Sequence, residues 1–460
     1  MSQSIRNNGE LRVCCHANQG ADRGIVRHAD GAPYNAGTDD LGAARNSELM
    51  KDVRSSILKG EWHPTCNRCQ SEESAGIRSR RIYENELWHK TTDETQSLIN
   101  TERDGTIDTS KFPVAYMDVR FGNLCNLKCR SCGPTDSSKW YGDYYKLWGK
   151  QFSESSQTMV LSENNGRMSV SPNPYAWHES EKFWFQLEQN MDGIGKLYLV
   201  GGEPLLIHAH YKFLEKCVER GYAPRISIEY NSNISTIPPK ALELWKHFKM
   251  VQVGASIDGL GKVNDYIRHP SKWQDIENNL VMLDTAEGNL RVLVSTTIMV
   301  YNVLNFPDMM IWKANKNFQR VNRDPAKPLI TPHPLHRPHH LNIQILPESA
   351  KSYVSSYYKS KQAEINEAVY ASAPIKDKDL AIKSAEGLLK RYELFMWQKD
   401  LSHELPNFWN YTRRLDRIRN ESIEAALPEL YELIKFTEPD SEISNTGCLM
   451  SVSAQLPSPS

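Results

Sequence analysis

Three cysteines with the spacing Cys-x3-Cys-x2-Cys are the residues of this sequence whose types and spacing point most directly to chemistry. Cys125, Cys129 and Cys132 define what is called here the cysteine loop, and they directly follow a strand-like run at residues 116–121. Three thiolates on one short loop can hold three irons of a cubane cluster and leave the fourth iron open for another ligand. The same thiolates could supply three of the four ligands of a structural zinc site. The spacing therefore predicts a metal site.

The cysteine loop resembles the cluster motif of the radical S-adenosylmethionine (SAM) superfamily, in which it follows the first strand of a partial barrel. The resemblance implies a [4Fe-4S] cluster that binds the amino and carboxylate groups of SAM. An electron from this cluster would split SAM into methionine and a 5′-deoxyadenosyl radical, which would abstract hydrogen from a substrate. Ser131 stands where the family usually has an aromatic residue. A reductant of flavodoxin or ferredoxin type is the implied partner.

Five further short apolar runs are rich in β-branched residues and are bounded by Gly, Asn or Pro, as strands are. They occupy residues 196–200, 226–230, 251–257, 292–298 and 341–346. Helix-like stretches with apolar residues at three- and four-residue spacing lie between them. This alternation predicts an α/β fold with a parallel sheet. Six strand–helix units suit the partial (βα)6 TIM-like barrel that the resemblance implies.

Candidate SAM contacts occur where the predicted strands end, which is where barrel enzymes carry their active residues. Gly201, Gly202 and Glu203 follow the second predicted strand, and two glycines permit a tight turn close to a ligand. This motif resembles the Gly-Gly-Glu-Pro motif that binds the SAM amino group in the family. By itself, a Gly-Gly pair is more often only a turn.

Three more positions resemble SAM contacts of the family. Asn233 and Ser256 lie at the ends of the third and fourth predicted strands, and the resemblance implies that they contact the ribose hydroxyls. Arg268 matches an arginine that several members place against the SAM carboxylate, with which a planar guanidinium can pair bidentately. Without the resemblance, these are polar turn residues and a solvated surface group. Asp258 has less weight because it can simply shape its turn.

A second group of cysteines precedes the predicted barrel. Cys14, Cys15 and His16 come early, and Cys66 and Cys69 follow a predicted amphipathic helix that ends at a glycine. This order resembles the twitch and SPASM segments that hold an auxiliary iron-sulfur cluster, here in an amino-terminal position. The resemblance implies a second [4Fe-4S] cluster on Cys15, Cys66 and Cys69. A zinc site with three cysteines and one histidine fits the same residues.

The fourth ligand of this auxiliary cluster has three candidates. Cys14 is one, although adjacent side chains rarely point to one centre in extended backbone. Cys448, near the carboxyl terminus, is the second. The substrate itself is the third.

Composition predicts a cytoplasmic protein. The chain has 460 residues, of which 39% are hydrophobic, and its formal net charge of −1 indicates neither nucleic acid nor an anionic membrane as a partner. No apolar run reaches the length of a bilayer span, and the amino terminus has no apolar signal segment. Because its cysteines cluster like metal ligands, a reducing compartment is expected.

Changes in composition divide the chain into three predicted parts. Residues 1–108 would form the twitch/SPASM-like segment with a polar linker, residues 109–350 the barrel, and residues 351–460 a helical region with a disordered tail. The histidine- and proline-rich run 332–340 is interpreted as an ordinary loop ahead of the sixth strand, and so away from the catalytic face.

These motifs predict a radical SAM enzyme whose substrate is a small molecule or, by analogy with family members that carry auxiliary clusters, a peptide or protein. Two other classes fit part of the pattern: a non-catalytic zinc-binding interaction protein and an iron-sulfur electron carrier. Glu203 and Arg268 argue against both classes, because neither needs a SAM site.

Overall fold

The part of the chain that can be described covers most of its length. The computed structural model describes residues 2–17, 24–74, 76, 78–89, 94–155, 157–316, 318–322, 329–372 and 377–439. Cys448 and the predicted tail lie outside these residues, as do residues 90–93 of the predicted linker.

Within the described residues, an eight-stranded sheet forms the centre of the fold, with the order β11-β10-β9-β8-β7-β3-β1-β2. Neighbouring strands are parallel except for the pair of β1 and β2. A smaller antiparallel sheet contains β4, β5 and β6. The strands are β1 (Ser2–Ile5), β2 (Leu11–Arg12), β3 (Tyr116–Arg120), β4 (Gln151–Glu154), β5 (Gln157–Asn164), β6 (Arg167–Ser171), β7 (Lys196–Val200), β8 (Ser227–Ser232), β9 (Met250–Ser256), β10 (Leu290–Ile298) and β11 (Thr331–Pro334).

Helices separate the parallel strands and then continue beyond the sheet. They are α1 (Leu41–Ala44), α2 (Glu48–Leu58), α3 (Asn67–Ser74), α4 (Arg80–Trp88), α5 (Glu94–Ile99), α6 (Trp140–Trp148), α7 (Glu181–Gln189), α8 (His208–Glu219), α9 (Pro239–Trp245), α10 (Lys262–Ile267), α11 (Trp273–Thr285), α12 (Phe306–Asn315), α13 (Glu348–Ser372), α14 (Lys378–Trp397), α15 (Leu405–Arg419), α16 (Ile423–Ala426) and α17 (Pro428–Ile434). No helix within the described residues is both long and apolar enough to cross a membrane.

The predicted α/β class is confirmed, because β3, β7, β8, β9, β10 and β11 follow one another in chain order across the sheet with helices between them. The carboxyl-terminal helical region is also confirmed. The predicted helix between the two amino-terminal cysteine groups is α2, which is followed by Gly60 at φ +73°. The small sheet of β4 to β6 was not predicted.

In the series of parallel strands that starts at β3, the sixth is β11. The prediction of a strand at residues 341–346 is wrong. That run contains the short 3₁₀ helix Ile343–Ile345, and its apolar side chains are buried. Burial of a short apolar run does not distinguish a strand from a turn of helix. β11 contains two prolines, which suits its position at the edge of the sheet. The histidine-rich run therefore begins in a strand and continues past its carboxyl end, contrary to the prediction.

The amino-terminal segment joins the central sheet directly. β1 is parallel to β3, and the Ser4 hydroxyl donates a hydrogen bond of 2.8 Å to Asp118 Oδ2. On the same side, the Arg80 guanidinium in α4 donates to the Tyr116 hydroxyl at 3.3 Å. The cysteine-rich segment is thus packed against β3. The domain boundaries near residues 108 and 350 stay a prediction.

Candidate functional site

The cysteine loop is held by backbone hydrogen bonds to the last residue of α10 and to the segment that follows it. The Lys128 N–H donates to the His269 carbonyl and the Arg130 N–H donates to the Ile267 carbonyl, each at 2.7 Å. Because these bonds flank Cys129 on one side and Arg268 on the other, they set the two residues opposite each other. The predicted SAM-binding arginine therefore lies beside the central cysteine.

The three thiols of the cysteine loop lie together in a mostly buried position. Cys125 and Cys129 are buried, and Cys132 is partly buried. The hydrogen bond with Cys132 and the charge of Arg268 lower the pKa of Cys129, against the effect of burial. Burial raises the pKa of Cys125 to about 12. Its sulfur accepts hydrogen bonds from the Leu127 N–H at 3.4 Å and from the Asn233 amide at 3.8 Å.

The Gly-Gly-Glu-Pro turn packs against the backbone that leads into the cysteine loop. The Gly202 N–H donates to the Gly122 carbonyl at 3.1 Å, and the Glu203 N–H donates to the Leu124 carbonyl at 2.7 Å. A Cβ atom on Gly201 would lie 2.5 Å from the Phe121 nitrogen. A Cβ atom on Gly202 would overlap the Leu124 carbonyl. Glycine is therefore required here by the close approach of two backbones.

The Glu203 carboxylate joins the ends of β7 and β8. It is 3% exposed and accepts hydrogen bonds from the Ser232 hydroxyl at 2.8 Å, the Asn233 N–H at 2.7 Å and the Leu205 N–H at 3.1 Å. Burial raises the pKa of this carboxyl, and the three hydrogen bonds oppose that shift. A carboxylate has about four acceptor positions. One position thus remains for a ligand, and the other three serve the fold.

Arg268 is oriented by Asp258. Its Nη1 donates to Asp258 Oδ2 at 2.6 Å, while Asp258 Oδ1 accepts from the Thr297 N–H at 2.7 Å. Burial lowers the pKa of Arg268, but the charges of Cys129 and Asp258 raise it more, so the guanidinium stays protonated. Its Nε is buried and has no hydrogen-bond partner among the described residues.

These features fit an anionic group bound beside the thiols. Three thiols on one loop suit an iron-sulfur cluster or a zinc ion, and the buried Nε of Arg268 is a donor that such a group or its ligand would satisfy. Contacts among the described residues bring Cys125, Asn233, Glu203 and Arg268 together. Ser256 lies at the end of β9, partly buried, at the same edge of the sheet.

The contacts between Arg130 of the cysteine loop and the carboxyl-terminal helices were missed from the sequence. The Arg130 side chain is fully buried and pairs with Asp416 in α15 and with Glu421 just after it, the latter at 2.6 Å. Its Nε donates to the Tyr266 carbonyl at 2.9 Å, and its guanidinium stacks 3.5 Å from the Tyr266 ring centre. The available signal was a run of charges, Arg413 to Arg419, on a helix with an apolar face.

Further residues of α15 satisfy carbonyls of the cysteine loop. The Tyr411 hydroxyl donates to the Arg130 carbonyl at 2.6 Å, and Arg419 Nη2 donates to the Lys128 carbonyl at 2.7 Å. The ring of His340, after β11, lies 4.8 Å from the Tyr411 ring, and burial lowers the pKa of His340 to about 4. The histidine-rich run therefore reaches the surroundings of the cysteine loop.

The amino-terminal cysteines divide between two environments. Burial raises the pKa of Cys14 to about 12, with smaller effects from Cys15 and Cys66. Burial and the Asp118 carboxylate raise the pKa of Cys15, and its largest electrostatic neighbours are Asp118, Arg80 and Arg120. Cys14 is therefore the thiol with a neighbour in the Cys66 pair, whereas Cys15 faces the central sheet.

A second grouping of possible metal ligands includes His16, the residue that follows Cys15. The ligand atoms of His16, Cys69 and Glu72 all lie within 4.8 Å of one another. Burial lowers the pKa of His16 to about 4, which keeps its imidazole neutral at neutral pH and able to bind a metal. Thiolate, imidazole and carboxylate are all ligands that zinc accepts.

The chain is similar to solved structures at a low level. Two of them are crystal structures of Streptococcus suis SuiB, one bound to S-adenosylmethionine and one bound to the precursor peptide SuiA. The identity is 12% and the TM-score 0.30 in both cases; the matches cover 74% and 68% of this chain. They cover 66% and 64% of SuiB, so the chain spans slightly less than two thirds of these neighbours. No protein-family model and no curated protein matches the sequence.

A methyl group at position 202 is expected to displace the cysteine loop. Gly202→Ala would force its Cβ into the Leu124 carbonyl, so we expect a lower melting temperature and at least a twofold loss of iron bound after reconstitution. Gly387→Ala is the matched control, since its Cβ would meet no atom within 4 Å in helix α14 and should be neutral or stabilising. Equal iron binding by both variants would contradict this account of the turn.

Removal of the buried charge at position 130 is expected to destabilise the protein. Arg130→Gln leaves Asp416 and Glu421 without their cation, which typically costs about 3–5 kcal/mol of unfolding free energy. The control Arg78→Gln breaks an exposed pair with Glu86, which should cost less than about 1 kcal/mol. Chemical denaturation measures both, and similar losses in the two variants would refute the role given to Arg130.

The stability that the ion pairs of Arg130 provide is expected to depend on pH through Glu421. Burial raises the pKa of Glu421, but the hydrogen bond from His269 and the charge of Arg130 lower it by more, so its folded pKa lies below the ordinary value. The stabilisation is therefore present above about pH 4.3, the ordinary glutamate pKa, and is lost as pH falls through the lower folded value. The stability difference between the wild type and Arg130→Gln should shrink over that acidic range.

Proposed function

We propose that the chain is a radical SAM enzyme whose catalytic cluster is held by Cys125, Cys129 and Cys132. The observation that carries this proposal is the convergence of the cysteine loop, the Gly-Gly-Glu-Pro turn and Arg268 at the carboxyl edge of one parallel sheet. Zinc binding alone would need neither a buried, partly unpaired arginine nor a glycine turn packed beneath the thiols. Asn233 and Ser256, at neighbouring strand ends, would complete a SAM site.

The protein residues would divide the work of binding SAM. Arg268, which Asp258 holds at 2.6 Å, would direct its free Nε toward the SAM carboxylate, with which guanidinium pairs well. The remaining acceptor position of Glu203 would take a hydrogen bond from the SAM amino group. When bound, a reduced [4Fe-4S] cluster would supply the electron that cleaves SAM to methionine and a 5′-deoxyadenosyl radical. That radical would take hydrogen from the substrate.

We propose that the amino-terminal cysteines hold an auxiliary [4Fe-4S] cluster through Cys66, Cys69 and one of the adjacent pair Cys14 and Cys15. The electrostatic coupling between Cys14 and Cys66 favours Cys14 within that pair. A zinc ion in the same segment is the second candidate, which the close grouping of His16, Cys69 and Glu72 favours. An external flavodoxin- or ferredoxin-type protein would deliver electrons to the enzyme in a cytoplasmic setting.

SAM cleavage is the first test. After anaerobic reconstitution with iron and sulfide, the protein should convert SAM to 5′-deoxyadenosine in the presence of dithionite, as followed by chromatography. Cys129→Ala should abolish this product because it removes one of three cluster ligands. Cys217→Ala should retain it, because Cys217 is a buried thiol in α8. Zinc without iron, and no 5′-deoxyadenosine, would refute the enzyme assignment.

Metal counting tests the auxiliary site. Two cubane clusters correspond to about eight irons per chain and one to about four. Cys66→Ala should lower the count from about eight to about four, and Cys14→Ala should do the same if Cys14 is a ligand. Cys15→Ala, at the adjacent position, is the matched comparison for Cys14→Ala. If the wild type binds about four irons and one zinc, the auxiliary site holds a zinc ion and not a cluster.

A further inference from the structure

The two faces of strand β3 differ in chemistry. Alternate residues of a strand point to opposite faces, and Met117 and Val119 are buried in the hydrophobic core. Asp118 and Arg120 therefore point to the other face, which is called here the polar face. Tyr198 of β7 is in register with Asp118 and lies on the same face. Polar side chains on a central strand need partners, and the structure supplies only some of them.

Asp118 lacks one partner. Its side chain is 2% exposed, and its Oδ2 accepts the 2.8 Å hydrogen bond from Ser4. Its Oδ1 is buried and has no hydrogen-bond partner among the described residues. A buried acceptor without a donor costs free energy. A donor on a bound molecule would remove that cost.

Arg120 is the second group on the polar face that lacks a hydrogen-bonding partner. It is partly buried, and no acceptor in the described part of the chain lies within hydrogen-bonding distance of its guanidinium. Asp118, Tyr198 and Cys15 are its electrostatic neighbours, yet Arg120 and Asp118 form no ion pair within 4 Å. Its guanidinium therefore makes no hydrogen bond within the described residues, and Asp118 is the largest of the longer-range charges that act on it.

This pair lies near the end of β3 that leads into the cysteine loop. Arg120 is the last residue of β3, and the chain continues from it into the cysteine loop. Its electrostatic neighbours also include Asp136, which follows the loop. On the same face, the Tyr198 hydroxyl accepts a 2.7 Å hydrogen bond from Asn231, an exposed residue, so solvent reaches this region. A molecule could therefore enter here.

We propose that the polar face anchors the substrate through a carboxylate, which Arg120 binds, and through an adjacent N–H, which Asp118 Oδ1 accepts. A guanidinium presents five donors in a planar fork that matches a carboxylate, and a charge-assisted pair of this kind is among the stronger hydrogen bonds. A carboxylate next to an amide N–H is the chemistry of an acidic peptide. This inference rests on the proposed function for the reaction, and it adds the class of substrate.

The carboxylate could come from an acidic side chain or from a peptide carboxyl terminus, and defined probes separate the two. The peptide acetyl-Gly-Glu-Gly-amide carries only the side-chain carboxylate, and acetyl-Gly-Gly-Gly carries only the terminal one. Acetyl-Gly-Gln-Gly-amide carries neither. Ligand-detected NMR on the reconstituted full-length protein measures their binding. We expect one of the two carboxylate peptides to bind at least tenfold more tightly than the glutamine peptide.

Two variants test whether Arg120 binds the peptide carboxylate. Arg120→Gln should reduce binding of the preferred peptide at least tenfold, to the level of the glutamine peptide. Arg120→Lys, which keeps the charge and loses the planar fork, should give an intermediate loss and serves if the first variant does not fold. Arg103→Gln changes an exposed arginine and should leave peptide binding unaltered.

The outcomes separate this inference from the proposed function. SAM cleavage is scored on the wild type alone, so failure of that reaction leaves the peptide result intact. The carboxylate subsite would be overturned if the wild type bound all three peptides equally, or if Arg120→Gln bound them as the wild type does. It would also be overturned if Arg120→Gln weakened SAM binding and left peptide binding unchanged, because Arg120 would then belong to the SAM site.

Discussion

The cysteine loop depends on one buried cation, the guanidinium of Arg130. Buried charges are tolerated where they are paired and hydrogen bonded, and Arg130 meets this condition through Asp416, Glu421 and the carbonyl of Tyr266. Asp416 lies 286 residues away in sequence. Removal of either carboxylate would leave this buried cation with one charged partner in place of two. The arrangement therefore favours one position of the loop, which is a gain in specificity more than in net stability.

A second constraint comes from the polar backbone of the loop itself. A loop that is neither helix nor strand must satisfy its N–H and C=O groups elsewhere when it is buried. Donors and acceptors from the α10 turn, from α15 and from the Gly-Gly-Glu-Pro turn meet this requirement. The glycines at 201 and 202 matter for the same reason, since only their lack of a Cβ lets the turn approach the loop backbone. Sheet, turn and helices thus converge on one short segment.

The amino-terminal segment links the two cysteine groups to the polar face of the sheet. Cys14 and Cys15 are adjacent, yet Cys14 interacts with Cys66 while Cys15 interacts with Asp118. The two residues begin a turn in which the Ala17 N–H donates to the Cys14 carbonyl at 3.3 Å, and their thiols have different electrostatic neighbours. In the proposed enzyme, a substrate bound by Arg120 would lie against this segment, with the catalytic cysteines at the end of the same strand.

The sequence by itself determined the candidate site residues and the alternation of strands and helices in the central sheet. The spacing of Cys125, Cys129 and Cys132 depends only on local chain geometry, and five of the seven mutually parallel strands were visible because their β-branched runs are local signals. Tertiary structure decided the rest. β11, with its two prolines, is a strand only because β10 offers it an edge, and the role of Arg130 arises from partners that are distant in sequence. The role proposed for Arg120 likewise depends on which partners it lacks within the described residues. Such relations cannot be read from spacing, since burial and pairing are properties of the folded chain.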